Sequence, residues 1–73
     1  SADDLLECIS RLPAGYRTVF NLYAIEGYTH KEIAAMLHIQ EITSRSQFAR
    51  ARKALQEMVQ SLIAQDNVSR NRT

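Results

Sequence analysis

The sequence predicts an all-α fold, a compact four-helix domain with three short helices and a long fourth. Three observations carry that prediction. Apolar residues recur at helical spacing, without the strict alternation a strand would need. Glycine and proline are scarce, and Pro13 and Gly27 stand between apolar runs. Thr29, followed three residues later by Glu32, has the form of a capping box, which marks a helix start. With 73 residues there is room for a single domain. A chain of this size buries only about 60% of the surface that its unfolded form exposes, so the core must be small. Its expected members are Leu12, Val19, Phe20, Ile33, Ala34, Leu37, Ser44, Phe48 and Leu55.

The elements follow in order. "DDLLECISRL" offers an aspartate cap at residue 3 or 4, then Leu5, Leu6, Ile9 and Leu12 near helical spacing. Cys8 is the sole cysteine, so it forms no internal disulfide, and it reads as core or near-core. Pro13 ends this helix and suits the first turn of the next, where its missing donor costs nothing. "AGYRTVFNLYAIEG" repeats apolar residues at 16, 19, 20 and 23, with Leu22 and Ile25 widening the face. Gly15 weakens its first turn by up to about 1 kcal/mol, and Gly27 is placed as the C-terminal stop. In "YTHKEIAAML" the capping box is joined by Tyr28 and Ile33, spaced for a hydrophobic staple. Ile33, Ala34 and Leu37 give this very short helix one buried side. After a break at residues 38–40, a long helix is expected over 41–63, with Ser44, Phe48, Ala51, Leu55, Val59 and Leu62 along one side. The domain is thus expected over residues 3–63, followed by a flexible polar tail over 64–73. A short helix, a three-residue break and a longer helix with a basic side make the layout of a helix-turn-helix.

Charge distribution points to the partner. The formal net charge is only +1, but residues 41–60 carry Arg45, Arg50, Arg52 and Lys53 against Glu41 and Glu57, and residues 42–56 hold no acid. At about 100° per residue, Phe48, Leu55 and Val59 centre the buried side of the long helix. Ser46 and Lys53 lie opposite, with Arg50 on one shoulder and Arg45 and Arg52 on the other. A helix that merely meets solvent mixes signs to gain i,i+4 pairs. A face with one sign suits a partner that supplies the negative charge, double-stranded DNA above all; a solvated face and an acidic protein partner are the alternatives.

In this architecture the front of the second helix enters the major groove. Glu41, Ile42, Thr43, Arg45, Ser46 and Gln47 are therefore the candidate base-reading residues. Arginine can grip guanine, a carboxylate can accept from cytosine, and hydroxyls serve base or phosphate. Ile42 either meets a thymine methyl group or folds back over the turn. Arg50, Arg52 and Lys53, farther along, suit phosphates, which position the protein without specifying sequence. Thr29, His30 and Lys31, at the start of the third helix, are candidates for a second backbone contact.

Catalysis is not expected. No carboxylate pair, phosphate loop or nucleophile motif is present, and His30 and His38 lack partners at zinc-ligand spacing, so neither cofactor nor metal is predicted. No apolar run is long enough for a membrane span or a secretory signal. A cytoplasmic, nucleoid-associated location is the corresponding expectation.

Residues 12–55, "LPAGYRTVFNLYAIEGYTHKEIAAMLHIQEITSRSQFARARKAL", resemble region 4 of bacterial sigma factors, specifically the extracytoplasmic-function group. The likeness rests on "LP" before the second helix, "VFNLYAIEGYTHKEIA" leading into the third, the placing of Thr43, and "RARKAL" at its end. It implies recognition of the promoter −35 element, docking on the β-subunit flap of RNA polymerase, and an anti-sigma protein as a further partner. It implies, too, an upstream domain that binds the −10 element and polymerase and lies outside these residues. Thr43, Arg45, Ser46 and Gln47 fall where that family meets −35 DNA, Arg50 and Lys53 near its backbone contacts, and Lys31 where the front helix approaches the backbone.

Four positions depart from the family pattern. His38 stands where glycine is usual, at roughly 1 kcal/mol if the backbone is left-handed there. Gln40 replaces a Ser or Thr cap, whose loss costs about 0.5–2 kcal/mol. Ser44 stands where a buried valine is common, and Gln47 replaces a frequent arginine. Together they predict a softer turn and altered or weaker −35 recognition. Two rival readings share many of these features. One is a response-regulator-type helix-turn-helix that binds DNA as a dimer. The other is a protein-interaction module whose basic helix holds an acidic partner.

Overall fold

The computed structural model describes residues 1–71, and the side chains of residues 1–68. Four helices are present, as the apolar periodicity requires: α1 (Ala2–Ser10), α2 (Ala14–Phe20), α3 (His30–Leu37) and α4 (Glu41–Asn71), with a π-helical turn over Asn21–Ile25 following α2. Helices α1, α2 and α3 all pack on α4, which serves as the spine of the domain.

The cap of α1 lies upstream of the two aspartates. Ser1 Oγ accepts from the Asp4 N–H at 3.4 Å, and the Asp4 carboxylate reaches back, so Asp4 is the third residue of the helix and not its cap. At the other end, the Arg17 guanidinium of α2 donates to the Ser10 and Leu12 carbonyls at 3.0 and 3.4 Å. Those acceptors belong to a helix end that cannot satisfy them internally, so Arg17 ties the corner around Pro13. Pro13 itself is extended (φ −52°, ψ 146°) and stands just before α2.

The single α-helix expected from residue 14 to Gly27 changes form half-way. Glu26 N–H bonds the Asn21 carbonyl at 2.9 Å, the wider i→i+5 closure of a π turn. This turn carries Tyr23 onto two rings at once. Its ring stacks on His30 (centroids 4.1 Å apart, planes 9° apart) and tilts against Phe48 at 4.7 Å. Gly27 then takes φ +82°, the left-handed value that a stop glycine supplies.

Helix α3 starts with the expected capping box. Glu32 N–H donates to Thr29 Oγ1 at 3.1 Å, and Thr29 N–H donates to Glu32 Oε1 at 3.0 Å. It ends on His38, which is left-handed (φ 56°, ψ 43°). That conformation lets the Ile39 N–H turn back to the Ala34 carbonyl at 3.0 Å. Helix α4 then runs to Asn71 instead of ending near residue 63, and the molecule is 53 Å long in consequence. The polar sequence after residue 63 lacks a breaker, which is why the helix can continue.

The core has two parts. Cys8, Ile9 and Leu12 of α1 and its following turn meet Ala51 and Leu55 of α4. Val19 of α2, Ile33 and Ala34 of α3 and Ser44 of α4 are buried as well, each at most 9% exposed. The buried side of α4 is accordingly centred on Ser44, Ala51 and Leu55, the last two packed with Cys8, Ile9 and Leu12. Phe48 and Val59 are half-buried at its edge, as are Phe20 and Leu37. Leu5, Leu6 and Ile25 are exposed, so the apolar faces read from the sequence are wider than the surfaces that cover them.

Candidate nucleic-acid interface

Most of the residues singled out for DNA contact lie on the outward side of the helix-turn-helix formed by α3 and α4. Glu41, Ile42 and Arg45 are exposed in the first turn and a half of α4, with Thr43, Ser46 and Gln47 half-buried beside them. Ile42 is 67% exposed and so does not fold back over the turn. Arg45 Nη2 lies 3.3 Å from Glu41 Oε1, an exposed i,i+4 pair that orients the guanidinium along the helix. Such surface pairs contribute at most about 1 kcal/mol, so the arginine is readily drawn off by a better acceptor.

Thr43 and Gln47 share the flank facing α2. The Gln47 amide is 3.8 Å from where a Cβ on Gly15 would stand, so its side chain lies over the start of that helix. Ser46 Oγ donates to the Thr43 carbonyl at 3.1 Å, which leaves its oxygen lone pairs for other donors. Arg50, Arg52 and Lys53 are exposed further along, and Lys31 is exposed at the front of α3. Among the described residues none of these four is in an ion pair. Thr29 is exposed as well, but its hydroxyl oxygen is engaged by the cap.

His30 departs from the sequence expectation. It is only 9% exposed, and its Nδ1 lies 2.9 Å from Ser44 Oγ, so it points into the core and not toward a phosphate. The first residue of a helix can face either way, and the Tyr23 ring supplied by the π turn draws this one inward. Burial holds the imidazole below its ordinary value of 6.5, and Arg45 pushes the same way while Glu41 opposes. Ser44, taken from the sequence as a weak spot in the core, is fully buried and has the histidine as its partner.

The pieces form an exposed edge on the first turn and a half of α4, a row of cations behind it, and a front helix whose capped end carries one more cation. A family model described as "Sigma-70, region 4" matches residues 2–55, from the start of α1 into the middle of α4. The chain belongs to the sigma-70 region 4 family. The match holds the whole helix-turn-helix and every residue named above for DNA contact. Domains of the sigma-70 region 4 family are DNA-binding, non-catalytic parts of sigma factors, which work with RNA polymerase. Among the described residues no three His, Cys, Asp or Glu side chains cluster to hold a metal, and no helix is long and apolar enough to cross a membrane. A comparison with curated proteins found no match.

Proposed function

We propose that this sigma-70 region 4 domain recognises the promoter −35 element for a sigma factor of the extracytoplasmic-function type, and so directs RNA polymerase to initiation. The observation that carries the proposal is the exposed, acid-free basic side of α4 behind a polar first turn, on the second helix of a helix-turn-helix. Glu41, Ile42, Thr43, Arg45, Ser46 and Gln47 form the edge that enters the major groove. Arg45 is the residue best suited to a bidentate grip on guanine. Arg50, Arg52, Lys53 and Lys31 hold phosphates on the two sides of the groove.

A second surface lies about 27 Å along α4 from Arg45, at 1.5 Å per residue. There Leu5, Val59, Leu62 and Ile63, together with the polar Ser1, Asp4, Gln65 and Asp66, line an open cleft of about 710 Å³ between α1 and α4. Its distance from the reading edge supports docking on the polymerase β-subunit flap, or on an anti-sigma protein, without competition from DNA.

The test is selection of binding sites from a randomised duplex pool by wild-type chain and by Arg45→Ala. A single asymmetric site bound by one chain is expected, with Arg45→Ala relaxing the preference at one base pair by about 1–3 kcal/mol. A two-fold symmetric site occupied by two chains would favour the dimeric regulator instead. Binding to an acidic protein with no DNA retention at low salt would favour the interaction module.

A further inference from the structure

The contacts proposed above leave His30 unused, yet it joins the two helices that make them. It opens α3, while Ser44 lies in the first turn of α4, and their 2.9 Å contact bridges the turn over residues 38–40. The ring has little freedom. Tyr23 stacks on it at 4.1 Å, and Phe48 meets it edge-on at 5.9 Å. Apolar contacts let one helix slide and roll over another, whereas a buried hydrogen bond requires a particular distance and direction. The turn that it spans is closed on the α3 side by the Ile39 N–H bond to the Ala34 carbonyl at 3.0 Å, but it enters α4 from Gln40, a residue poorly suited to capping.

We propose that His30 is a positioning residue for DNA reading. Its hydrogen bond to Ser44 sets the angle of the Glu41–Gln47 edge relative to Lys31 on α3, and does so while the imidazole is neutral. This rests on the assignment of that edge as the base-reading one. The charged and titratable groups around the ring are Arg45 and Glu41 on α4, Tyr23 on the π turn, and Lys31 and Glu32 beside it on α3. A proton on the ring sets a cation beside Arg45, among the unpaired N–H groups that open α3, where positive charge is disfavoured. Burial already holds the imidazole below its ordinary 6.5. A protonated ring can still donate from Nδ1 to Ser44 Oγ, but only as a buried cation beside Arg45, so the ring is drawn toward solvent and the clasp, intact above 6.5, loosens as pH falls through the lowered value.

The experiment uses the 73-residue chain, a duplex enriched by it from a randomised pool, and a scrambled duplex. The ratio of the two affinities is followed from pH 8 down to 4.5, alongside the His30 ring signals by NMR and helicity by circular dichroism. The ratio should fall about fivefold, the scale of one net hydrogen bond, at the His30 midpoint and with helicity unchanged. Ser44→Ala should lower it by the same factor at pH 7.5 and remove its pH dependence. A ratio flat through the His30 midpoint overturns the proposal, as does a loss of helicity that tracks the ratio, since the pair would then hold the fold and not the edge. A folded Ser44→Ala with full discrimination overturns it too, and if that variant does not fold, the wild-type series decides alone. Failure to enrich any duplex contradicts the base-reading assignment itself, whereas enrichment that ignores pH and Ser44→Ala contradicts only the role of His30.

Discussion

His38 holds the left-handed backbone (φ 56°, ψ 43°) that ends α3, a conformation a side chain enters at roughly 1 kcal/mol. Histidine is among the residues that tolerate it best, which keeps the cost moderate. His38→Gly should therefore raise stability by at most about 0.5 kcal/mol in urea unfolding, because relief of strain is largely offset by the entropy of glycine. The position was legible in the sequence, since a stop was needed between two helical patterns. The His30–Ser44 bond was not. Each residue alone had an ordinary explanation, one as a surface group at a helix start and the other as a small polar residue on an apolar side. Only the fold brings together residues fourteen apart. The available signal was that two polar residues fell on the inward sides of adjoining helices, where each needs a partner.

At the scale of the element, α3 stands out because it has only eight residues and leans on its cap and its neighbours. Thr29→Ala removes the cap and should destabilise the domain by about 0.5–2 kcal/mol, measured by thermal unfolding. The same cap responds to acid. The Thr29 backbone N–H, and then its hydroxyl, hold the Glu32 carboxyl below its ordinary 4.5. Its stabilisation is thus complete above 4.5 and lost as pH falls through the lowered value, so melting temperature should drop more steeply there in wild type than in Glu32→Gln. The cap and the helix starts of α3 and α4 could be read directly, because they depend on neighbours in sequence. The π turn after Phe20 could not, since it coincides with the packing of Tyr23 on rings from α3 and α4. The far end of α4 was misread for a related reason, as a polar helix without a breaker carries no mark of where it stops.

Across the whole molecule, α4 carries exposed cations over its first half and, beyond the core, one wall of an open cleft shared with α1. Lys31, Arg50, Arg52 and Lys53 should give a slope of about −3.6 in log affinity against log salt if all four meet phosphates, and each alanine substitution should flatten it by about 0.9. A shallower slope in anisotropy titrations would reduce the set of phosphate contacts. The charge pattern behind this was legible because α4 is long and regular, so that sequence spacing alone fixes which cations share a side. The proposed role is the choice of promoters for RNA polymerase. It is tested most directly by grafting residues 1–73 in place of region 4 of a well-behaved sigma factor and measuring run-off transcription from promoters that differ only in the −35 element. Promoter choice should follow the graft, and Arg45→Ala in the graft should change it. Transcription indifferent to the −35 sequence, from a grafted factor that still binds polymerase, would contradict that role.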